Sequence, residues 1–499
     1  MSRGGGSGWY RPAVADLDTV TVAELRAALE SGVTTSRAIV EAHLERITRL
    51  DPAFGSVRCV AADALDQADT SDRIRRESGA RGQLEGIPVL VKDNIDVAGL
   101  PTTGGALALE HAMPARDAPL VARLRESGAV VLGKTNLSEL ANFLTENMPS
   151  GYSSLGGQVL NPYDTSVTPS GSSSGSAVAA ALGLAPLTIG TETDGSITSP
   201  SEFQSLVGMK PTLGLVSRTG ILPIAASQDT AGPMTRTVAD AAALLAAIAG
   251  PDPADPATAG AGSVVERLRA LALDPGALAG VRLAVVRGDA DDESDKRTQE
   301  QLAGHERALA ALRDAGAELV DVTLPKAVHD DETAVLHYEF APGVDAYLAA
   351  MGDGAPVRSL AELQAWNREH ADAALKFGQV HVDKAVAIDH DREREAYLRT
   401  RERDLRAVTG GMLAALGDDL ECLVFPGADG CGWAARAGWP SIVLPAGYTA
   451  DNRRPVGIML VGRAWTDARL LSLAYAAERF LPARRTPAEV NPAVFRRLS

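Results

Sequence analysis

Serines and glycines are concentrated in two short stretches of the chain, residues 171–176 and residues 190–196. Between them the sequence is almost wholly apolar, which predicts a buried helix over 177–185 and a strand over Leu187–Ile189. We therefore expect both turns to be held rigidly against a core, with Ser196 on a tight turn just before a helix. Such a turn suits a serine nucleophile, because neighbouring backbone N–H groups can stabilise an oxyanion.

Both serine stretches also carry signals for the start of a helix. Ser174 and Ser176 are expected to cap the helix that follows the first turn. The glycines of the second turn are expected where the backbone must closely approach another group. The expected positions after the second turn are Ser199 as N-cap, Pro200 as first helical residue, Glu202 as third residue of a capping box and Gly208 as the stop.

A flexible linker and a phosphate-binding loop are alternatives for these stretches. Runs of Gly and Ser are usually linkers, but a linker does not normally lead straight into an apolar helix. A phosphate loop requires Gly-Lys-Ser/Thr after the glycines, and that sequence does not follow here. An acyl-transfer site and a purely structural turn both stay open on these residues alone.

A serine nucleophile also requires a base that later protonates the leaving amine. The histidines make no HExxH pattern and lie outside both turns, at positions 43, 111, 305, 329, 337, 370, 381 and 390. A Ser-His-Asp triad therefore has no motif support, and His381 and His390 are expected at the surface of a helical segment. Lys92 is the remaining candidate, because desolvation after the apolar run Val89–Val91 favours a neutral amine. Taken alone, a lysine at a strand end is more often a surface residue.

Several motifs resemble those of the amidase signature family and occur in the same order along the chain. Their amino-acid sequences are most similar to those of bacterial peptide amidases. The glycine- and serine-rich turns and the apolar helix between them follow the family's central pattern. The motifs are residues 86–94, which resemble the family's lysine motif, and residues 133–136, 171–176, 190–197, 208–212 and 214–218. The resemblance implies an amidase that cleaves a carbon–nitrogen bond through an acyl-enzyme, with no cofactor. The sequence has no His/Cys/Asp ligand cluster at zinc spacing, which predicts no metal.

The resemblance also implies a role for individual residues. In the family's Ser–cisSer–Lys triad, Ser196 is the nucleophile, Ser172 the bridging serine after a cis peptide bond from Gly171, and Lys92 the base. Ser173 and Asp229 are expected to support the site. Ser173 is also the next catalytic candidate, with simple hydrogen bonding within the turn as its alternative. Asp229 is expected to cap a loop, with support of the serine turns as its alternative. Four consecutive backbone N–H groups are expected to form the oxyanion hole, those of Thr193, Asp194, Gly195 and Ser196.

Two positions depart from the common family pattern. Asp194 stands where a second glycine usually precedes the nucleophile, and Thr198 stands where an arginine often follows Ser-Ile. Without that arginine a free-carboxylate substrate such as glutamine is disfavoured, and a neutral amide such as a peptide C-terminal amide is favoured. The alternatives are a non-catalytic relative acting as a binding scaffold and a glutamine-dependent amidotransferase subunit. Retention of Lys92, Ser172 and Ser196 together argues against the scaffold.

Alternating helical and strand patterns predict an α/β fold, a single large mixed β-sheet covered by helices on both faces. Two helices are expected over residues 19–50, the first with a capping box at Thr21 and Glu24. Further helices are expected over 120–127, 237–250 and 299–315, and strands over 87–91, 129–132, 281–286, 319–322, 423–425, 441–444 and 456–460.

We expect residues 1–499 to form a single domain with a loose tail over 1–18. Residues 255–415 are expected to form a peripheral, more variable helical layer. Residues 330–415 are expected to be mostly helical, and together with residues 426–440 they are expected to build much of the substrate wall. The loop 425–433 is expected near the site.

The composition disfavours several classes of partner. The formal net charge of −16 argues against a nucleic-acid or anionic-membrane partner. No run of 18 apolar residues predicts a membrane span, and the first residues lack an apolar signal core. Cys59, Cys422 and Cys431 suggest neither a disulfide framework nor a metal cluster, and no base motif accompanies Cys431 as a thiol nucleophile. We expect a cytoplasmic monomer or homodimer whose partner is a small-molecule or peptide amide substrate.

Overall fold

The fold is described from a computed structural model that covers residues 16–287, 296–325, 329–451 and 453–496. Residues 1–15 of the expected tail lie outside the described residues. The described strands are β1 (Val57–Val60), β2 (Pro88–Lys92), β3 (Val130–Thr135), β4 (Tyr152–Ser153), β5 (Gly157–Gln158), β6 (Leu187–Glu192), β7 (Val207–Lys210), β8 (Thr230–Thr235), β9 (Arg282–Val286), β10 (Glu318–Val322), β11 (Leu423–Pro426), β12 (Ser441–Tyr448) and β13 (Pro455–Val461).

The helices connect and cover these strands. They are α1 (Val22–Glu30), α2 (Ser36–Leu50), α3 (Ala64–Ser78), α4 (Pro119–Glu126), α5 (Glu139–Asn142), α6 (Ser174–Ala181), α7 (Thr198–Phe203), α8 (Val238–Ile248), α9 (Gly262–Arg269), α10 (Lys296–Asp314), α11 (His329–Met351), α12 (Leu360–Glu369), α13 (Ala371–Ala374), α14 (Val380–Val386), α15 (His390–Leu416), α16 (Cys431–Arg436), α17 (Asp467–Glu478), α18 (Pro487–Val490) and α19 (Pro492–Phe495).

Within the described ranges, eleven strands form one mixed sheet in the order β1-β3-β2-β6-β8-β7-β12-β13-β11-β9-β10. Strand β2 pairs in parallel with β3 and β6, and β9 pairs in parallel with β10 and β11. The remaining neighbours in the sheet are antiparallel. The predicted α/β fold with a large mixed sheet is confirmed. The sheet takes strands from both sides of residues 255–415, and also β9 and β10 from within them. The prediction that all of 255–415 is a peripheral helical layer is therefore wrong for the segment that carries these two strands, because β9 pairs with β11, and β10 with β9, at one end of the sheet. The single-domain organisation stays a prediction.

The two faces of the sheet are buried in separate apolar cores, and β2 contributes to both. Val89 and Val91 pack in the core that includes helices α1, α4, α8 and α17. Leu90 packs on the other face, with α2, α3 and α6. Side chains alternate between faces along a strand, so Lys92 follows Leu90 onto the face covered by α6. This placement brings Lys92 to the end of α6 that carries the first serine turn.

The expected helical pattern of residues 330–415 is confirmed by helices α11 to α15. Phe340, Val344 and Leu348 of α11 share an apolar cluster with Leu360 and Leu363 of α12. The predicted capping box at the start of α1 is also confirmed, because the Thr21 side chain and the Glu24 side chain each accept the other's backbone N–H.

Candidate active site

Lys92 lies at the end of β2 and is fully buried. Its Nζ atom lies 2.8 Å from Ser172 Oγ and 2.9 Å from Ser173 Oγ. It also contacts Thr191, 2.8 Å from Oγ1 and 3.3 Å from the carbonyl oxygen. The structure therefore brings together the lysine and two of the serines that the sequence singled out. The Gly171–Ser172 peptide bond before them is cis, as the family resemblance implied.

Hydrogen bonds from two strands fix the groups around the amine. The Ser173 hydroxyl donates to the Thr191 carbonyl at 3.0 Å and accepts the Thr191 N–H at 3.2 Å. Asn94 Nδ2 donates to Thr191 Oγ1 at 3.0 Å. The site is thus preorganised by backbone and side-chain contacts that hold strand β6 against the start of α6. Neither Asn94 nor Thr191 has a role predicted from the sequence.

The Lys92 amine has no ion-pair partner among the residues that the structure describes. Burial lowers the pKa of Lys92 from 10.5 to about 7, although the carboxylates of Glu192 and Asp229 oppose that shift. Lys134 is equally buried, yet its Nζ lies 3.1 Å from an oxygen of Asp93. Burial without a paired carboxylate among the described residues therefore places Lys92 where a neutral amine is accessible near neutral pH.

Ser196 lies on the turn between β6 and α7 and retains 7% exposure, whereas Ser172 is fully buried. Gly195 before it has a φ of 75°, a conformation that glycine adopts without steric cost. The Ser173 N–H donates to the Ser196 carbonyl at 3.2 Å, which joins the two turns directly. The backbone at Gly190 closely approaches Ser173, as expected for a glycine of this turn. A Cβ at position 190 would lie 2.7 Å from Ser173 Oγ.

The predicted start of the helix after Ser196 is wrong. Helix α7 begins at Thr198, and its N-cap residue makes no side-chain cap. Glu192 caps it instead, because its carboxylate accepts the N–H groups of Ile197 at 2.7 Å and Thr198 at 2.9 Å. A carboxylate from the preceding strand therefore accepts free amides at the actual start of the helix, which lies before Ser199.

The other predicted caps are also wrong, for a related reason. Glu202 accepts the Ala428 N–H at 3.0 Å instead of closing a capping box, and Gly208 lies inside strand β7. The hydroxyls of Ser174 and Ser176 donate to backbone carbonyls at 2.6 Å and 2.9 Å, so they cap no N–H group. Glu202 and Ser176 bond segments that are distant in sequence, whereas Ser174 bonds the turn just before its helix, so none of the three makes the local cap predicted for it.

Asp229 performs both of the functions considered for it. One carboxylate oxygen accepts the Thr193 hydroxyl at 2.6 Å, which steadies the turn that precedes Ser196. The other accepts the N–H groups of Ile224 and Ala225, both at 2.9 Å, which caps a loop. Burial raises the pKa of Asp229 to about 6.

The loop 425–433 was predicted to lie near the site, and it approaches the second serine turn at Cys431. A Cβ on Gly195 would lie 3.1 Å from Cys431 Sγ. Burial, with the Asp194 carboxylate nearby, raises the pKa of this thiol well above its usual range. A thiol with a raised pKa holds little thiolate near neutral pH, which disfavours Cys431 as a nucleophile.

The contacts of His381 and His390 are with residues outside the two serine turns. The expectation that His381 and His390 lie at the surface is wrong, because both are half-buried. His381 stacks on Phe143 and lies 2.9 Å from a ring nitrogen of His337, while His390 bonds the Tyr338 carbonyl. In the part of the chain that the structure describes, no three His, Cys, Asp or Glu residues are grouped to hold a metal. No described helix combines the length and apolarity needed to cross a membrane.

The arrangement of a buried lysine, a cis-linked serine and a serine on a glycine turn can be compared with known proteins. The family model described as Amidase matches residues 38–471. The chain belongs to the amidase family. A probable amidase of Arabidopsis thaliana is 36% identical over 502 residues, which cover 98% of this chain and 95% of that relative.

Two further relatives of this amidase-family chain differ in their stated roles. A glutamyl-tRNA(Gln) amidotransferase subunit of Anaeromyxobacter sp. (strain K) is 34% identical, covering 93% of this chain and 97% of the relative. The solved structure of native peptide amidase from Stenotrophomonas maltophilia superposes with a TM-score of 0.87 and 43% identity. That match covers 94% of this chain and 98% of the other.

Proposed function

We propose that the chain hydrolyses carbon–nitrogen amide bonds, with Ser196 as nucleophile, Ser172 as proton bridge and Lys92 as base. The observation that carries the proposal is the buried Lys92 amine, 2.8 Å from Ser172 Oγ and without a described ion-pair partner. A buried amine whose pKa is lowered to about 7 is a competent base near neutral pH.

The hydrogen bonds around Lys92 support a neutral amine whose lone pair is directed at the Ser172 hydroxyl. Ser173 uses its proton on the Thr191 carbonyl, so it presents lone pairs to the amine. Thr191 Oγ1 accepts Asn94 Nδ2 with one lone pair and keeps a second lone pair that can accept an N–H of the amine. A neutral lysine has two N–H groups and one lone pair. If the two N–H groups bond Ser173 and Thr191, the lone pair faces the Ser172 hydroxyl.

Acylation follows from that proton path. Ser196 Oγ attacks the amide carbonyl and gives its proton to Ser172, while Ser172 gives its own to Lys92. The tetrahedral oxyanion then collapses, the carbon–nitrogen bond breaks and Ser196 stays acylated. The leaving nitrogen takes a proton from Ser172, which is restored by the lysinium of Lys92, so the amine departs neutral.

Deacylation uses the same groups in reverse. Water attacks the acyl-Ser196 ester, and its proton passes through Ser172 to Lys92. Collapse releases the carboxylic acid and returns the proton to Ser196 Oγ. The sum is one amide and one water consumed, and one acid and one amine formed.

The backbone of the second turn supplies the proposed oxyanion donors. Residues Thr193, Asp194, Gly195 and Ser196 present four consecutive N–H groups before a helix. Removal of one such donor in other enzymes reduces the rate about 10²–10³-fold. Ser173 and Asp229 support this arrangement through the contacts already described.

A neutral amide is the proposed substrate class. Position 198 holds a threonine whose N–H and hydroxyl both donate to Glu192, so no cation from this position is available for a substrate carboxylate. The likeness to a peptide amidase supports a peptide C-terminal amide as one member of the class. An ester with the same acyl group is expected to react as well, because esters are easier acyl donors.

A glutamine-dependent amidotransferase is the second candidate, favoured by the similarity to the glutamyl-tRNA(Gln) amidotransferase relative. It requires glutaminase activity and a stable partner protein. Turnover of glutamine by the isolated chain at a rate exceeding that on peptide amides would favour this candidate. The cytoplasmic location and the monomeric or dimeric state stay predictions.

The decisive experiment is a mass-spectrometric screen of a library that contains peptide amides, aryl amides and glutamine. Wild type should release the acid from neutral amides, and Ser196→Ala should release none while staying folded. Ser199→Ala is a matched control, since Ser199 lies three positions after Ser196, in α7, and its hydroxyl bonds Ser170 Oγ at 2.8 Å. Retained turnover in a folded Ser196→Ala protein would contradict the proposal.

A further inference from the structure

Gln228 connects the turn before Ser196 to the outer helical layer. Its Nε2 atom lies 3.1 Å from the Thr193 carbonyl oxygen and 2.8 Å from Glu332 Oε1 of helix α11. Gln228 is 3% exposed and Glu332 is 6% exposed, so both bonds are shielded from water. An amide NH₂ group has two hydrogens, and these two acceptors occupy both.

The peptide group links the Thr193 carbonyl to the Asp194 N–H. The only cis bond of the described backbone is Gly171–Ser172, so the peptide between Thr193 and Asp194 is trans. In a planar trans peptide the C=O and N–H point in opposite directions. A donor that fixes the carbonyl therefore fixes the direction of the N–H, and it also polarises that N–H as a donor.

Helix α11 contacts residues 227–228 at two points, through Glu332 and through Glu339. Glu339 Oε2 accepts the Ser227 N–H at 2.8 Å, and its other oxygen accepts the Tyr397 hydroxyl at 2.7 Å. Glu332 and Glu339 are seven residues apart on α11, about two helical turns, so they lie on one face. A carboxyl can accept the Gln228 amide whether or not it is protonated, so the contact to Glu332 is present in both states.

We propose that Gln228, held by Glu332, is a positioning residue that aims the Asp194 N–H into the oxyanion hole. This inference rests on the proposed amide hydrolysis by Ser196. Gln228 touches no reacting atom in this account; it acts on the reaction through the Thr193–Asp194 peptide. The oxyanion forms only during the reaction. A misdirected Asp194 N–H should therefore reduce kcat and leave substrate binding unchanged.

The test replaces Gln228 with methionine, which keeps the length of the side chain and removes the donor. The kcat on a peptide amide should fall on the order of 10–100-fold, with KM within about twofold of wild type. Glu332→Leu should lose a smaller factor, and Glu332→Gln should lose less than Glu332→Leu, because glutamine retains an acceptor. Gln301→Met is the matched control, since Gln301 bonds Glu202 away from Thr193.

Phenylboronic acid is the second probe, because its tetrahedral adduct with a serine mimics the oxyanion without turnover. Its Ki should rise in Gln228→Met by about the same factor as kcat/KM falls. Equal kcat and equal Ki in folded Gln228→Met and wild type would overturn the positioning role while leaving the proposed function intact. Wild type that neither binds the boronic acid nor hydrolyses amides would instead overturn the proposed function, and this inference with it.

Discussion

The pH dependence of acylation tests Lys92 most sharply. Lys92 is fully buried, and burial lowers its pKa from 10.5 to about 7. In the proposed relay the neutral amine must accept the proton that Ser172 passes on. The acylation rate should therefore follow the fraction of neutral Lys92.

The size of the effect follows from that pKa. Below pH 7 the neutral fraction falls about tenfold for each pH unit, so roughly 10% of the amine is neutral at pH 6 and roughly 1% at pH 5. Above pH 8 the rate should level off. The acid limb should have a slope of one, because one proton is removed.

The same pKa shift predicts how stability changes with pH. Between pH 7 and 10.5, the window set by the lowered and ordinary pKa, the unfolded chain binds one more proton at Lys92 than the folded chain. Stability therefore rises with pH by about 5 kcal/mol across this window from this group. Below pH 7 both states are protonated and the burial cost stays constant. Lys92→Met should lack this rise.

The assay is a rapid-quench measurement of the acyl-enzyme, with a chromogenic anilide from the substrate screen, between pH 5 and pH 9. Lys92→Ala and Lys92→Arg should both lose on the order of 10²–10⁴ in rate, because arginine stays protonated and cannot act as a base. A Lys92→Arg variant that keeps most of the wild-type rate would refute the relay. A wild-type rate that does not change between pH 5 and pH 8 would also refute it.

Four further predictions concern the surroundings of the triad. Glu192→Gln should move the acid limb to lower pH, because the Glu192 carboxylate raises the pKa of Lys92; an unmoved limb would exclude that coupling. Asp229→Asn should reduce stability by about 1–3 kcal/mol and lower kcat, since one of its accepted bonds is lost; denaturant titration and steady-state kinetics check both. Cys431→Ser should keep most of the acylation rate, and a large loss would contradict its placement outside the chemistry. Prolonged incubation with EDTA should leave the rate unchanged, and activity lost to the chelator and restored by a divalent ion would contradict this expectation.

Much of the fold could be predicted where local pattern and burial agree. The strand β2 was predicted from a continuous apolar run, and the helices α1 and α2 from apolar periodicity and, for α1, a capping box. Strands β7 and β8 were not predicted, although both are fully buried. Their sequences contain glycine and proline, which are depleted in strands, and the neighbouring strands supply the burial.

The candidate site shows a similar division. Lys92 and Ser172 could be singled out from their motifs, and the structure places them 2.8 Å apart. The contact between Asn94 and Thr191 joins residues 97 positions apart, and that between Gln228 and Glu332 joins residues 104 positions apart. Such long-range contacts follow from the topology of the sheet and the packing of α11. A local sequence pattern does not predict them.

The most direct test of the central claim is to locate the acyl group during turnover. Wild-type enzyme is quenched in acid within the burst and digested, and its peptides are mapped by mass spectrometry. The account predicts the mass of the acyl group on Ser196, and no adduct in Ser196→Ala under the same conditions. An adduct on another residue such as Cys431, or rapid turnover without any adduct, would contradict it.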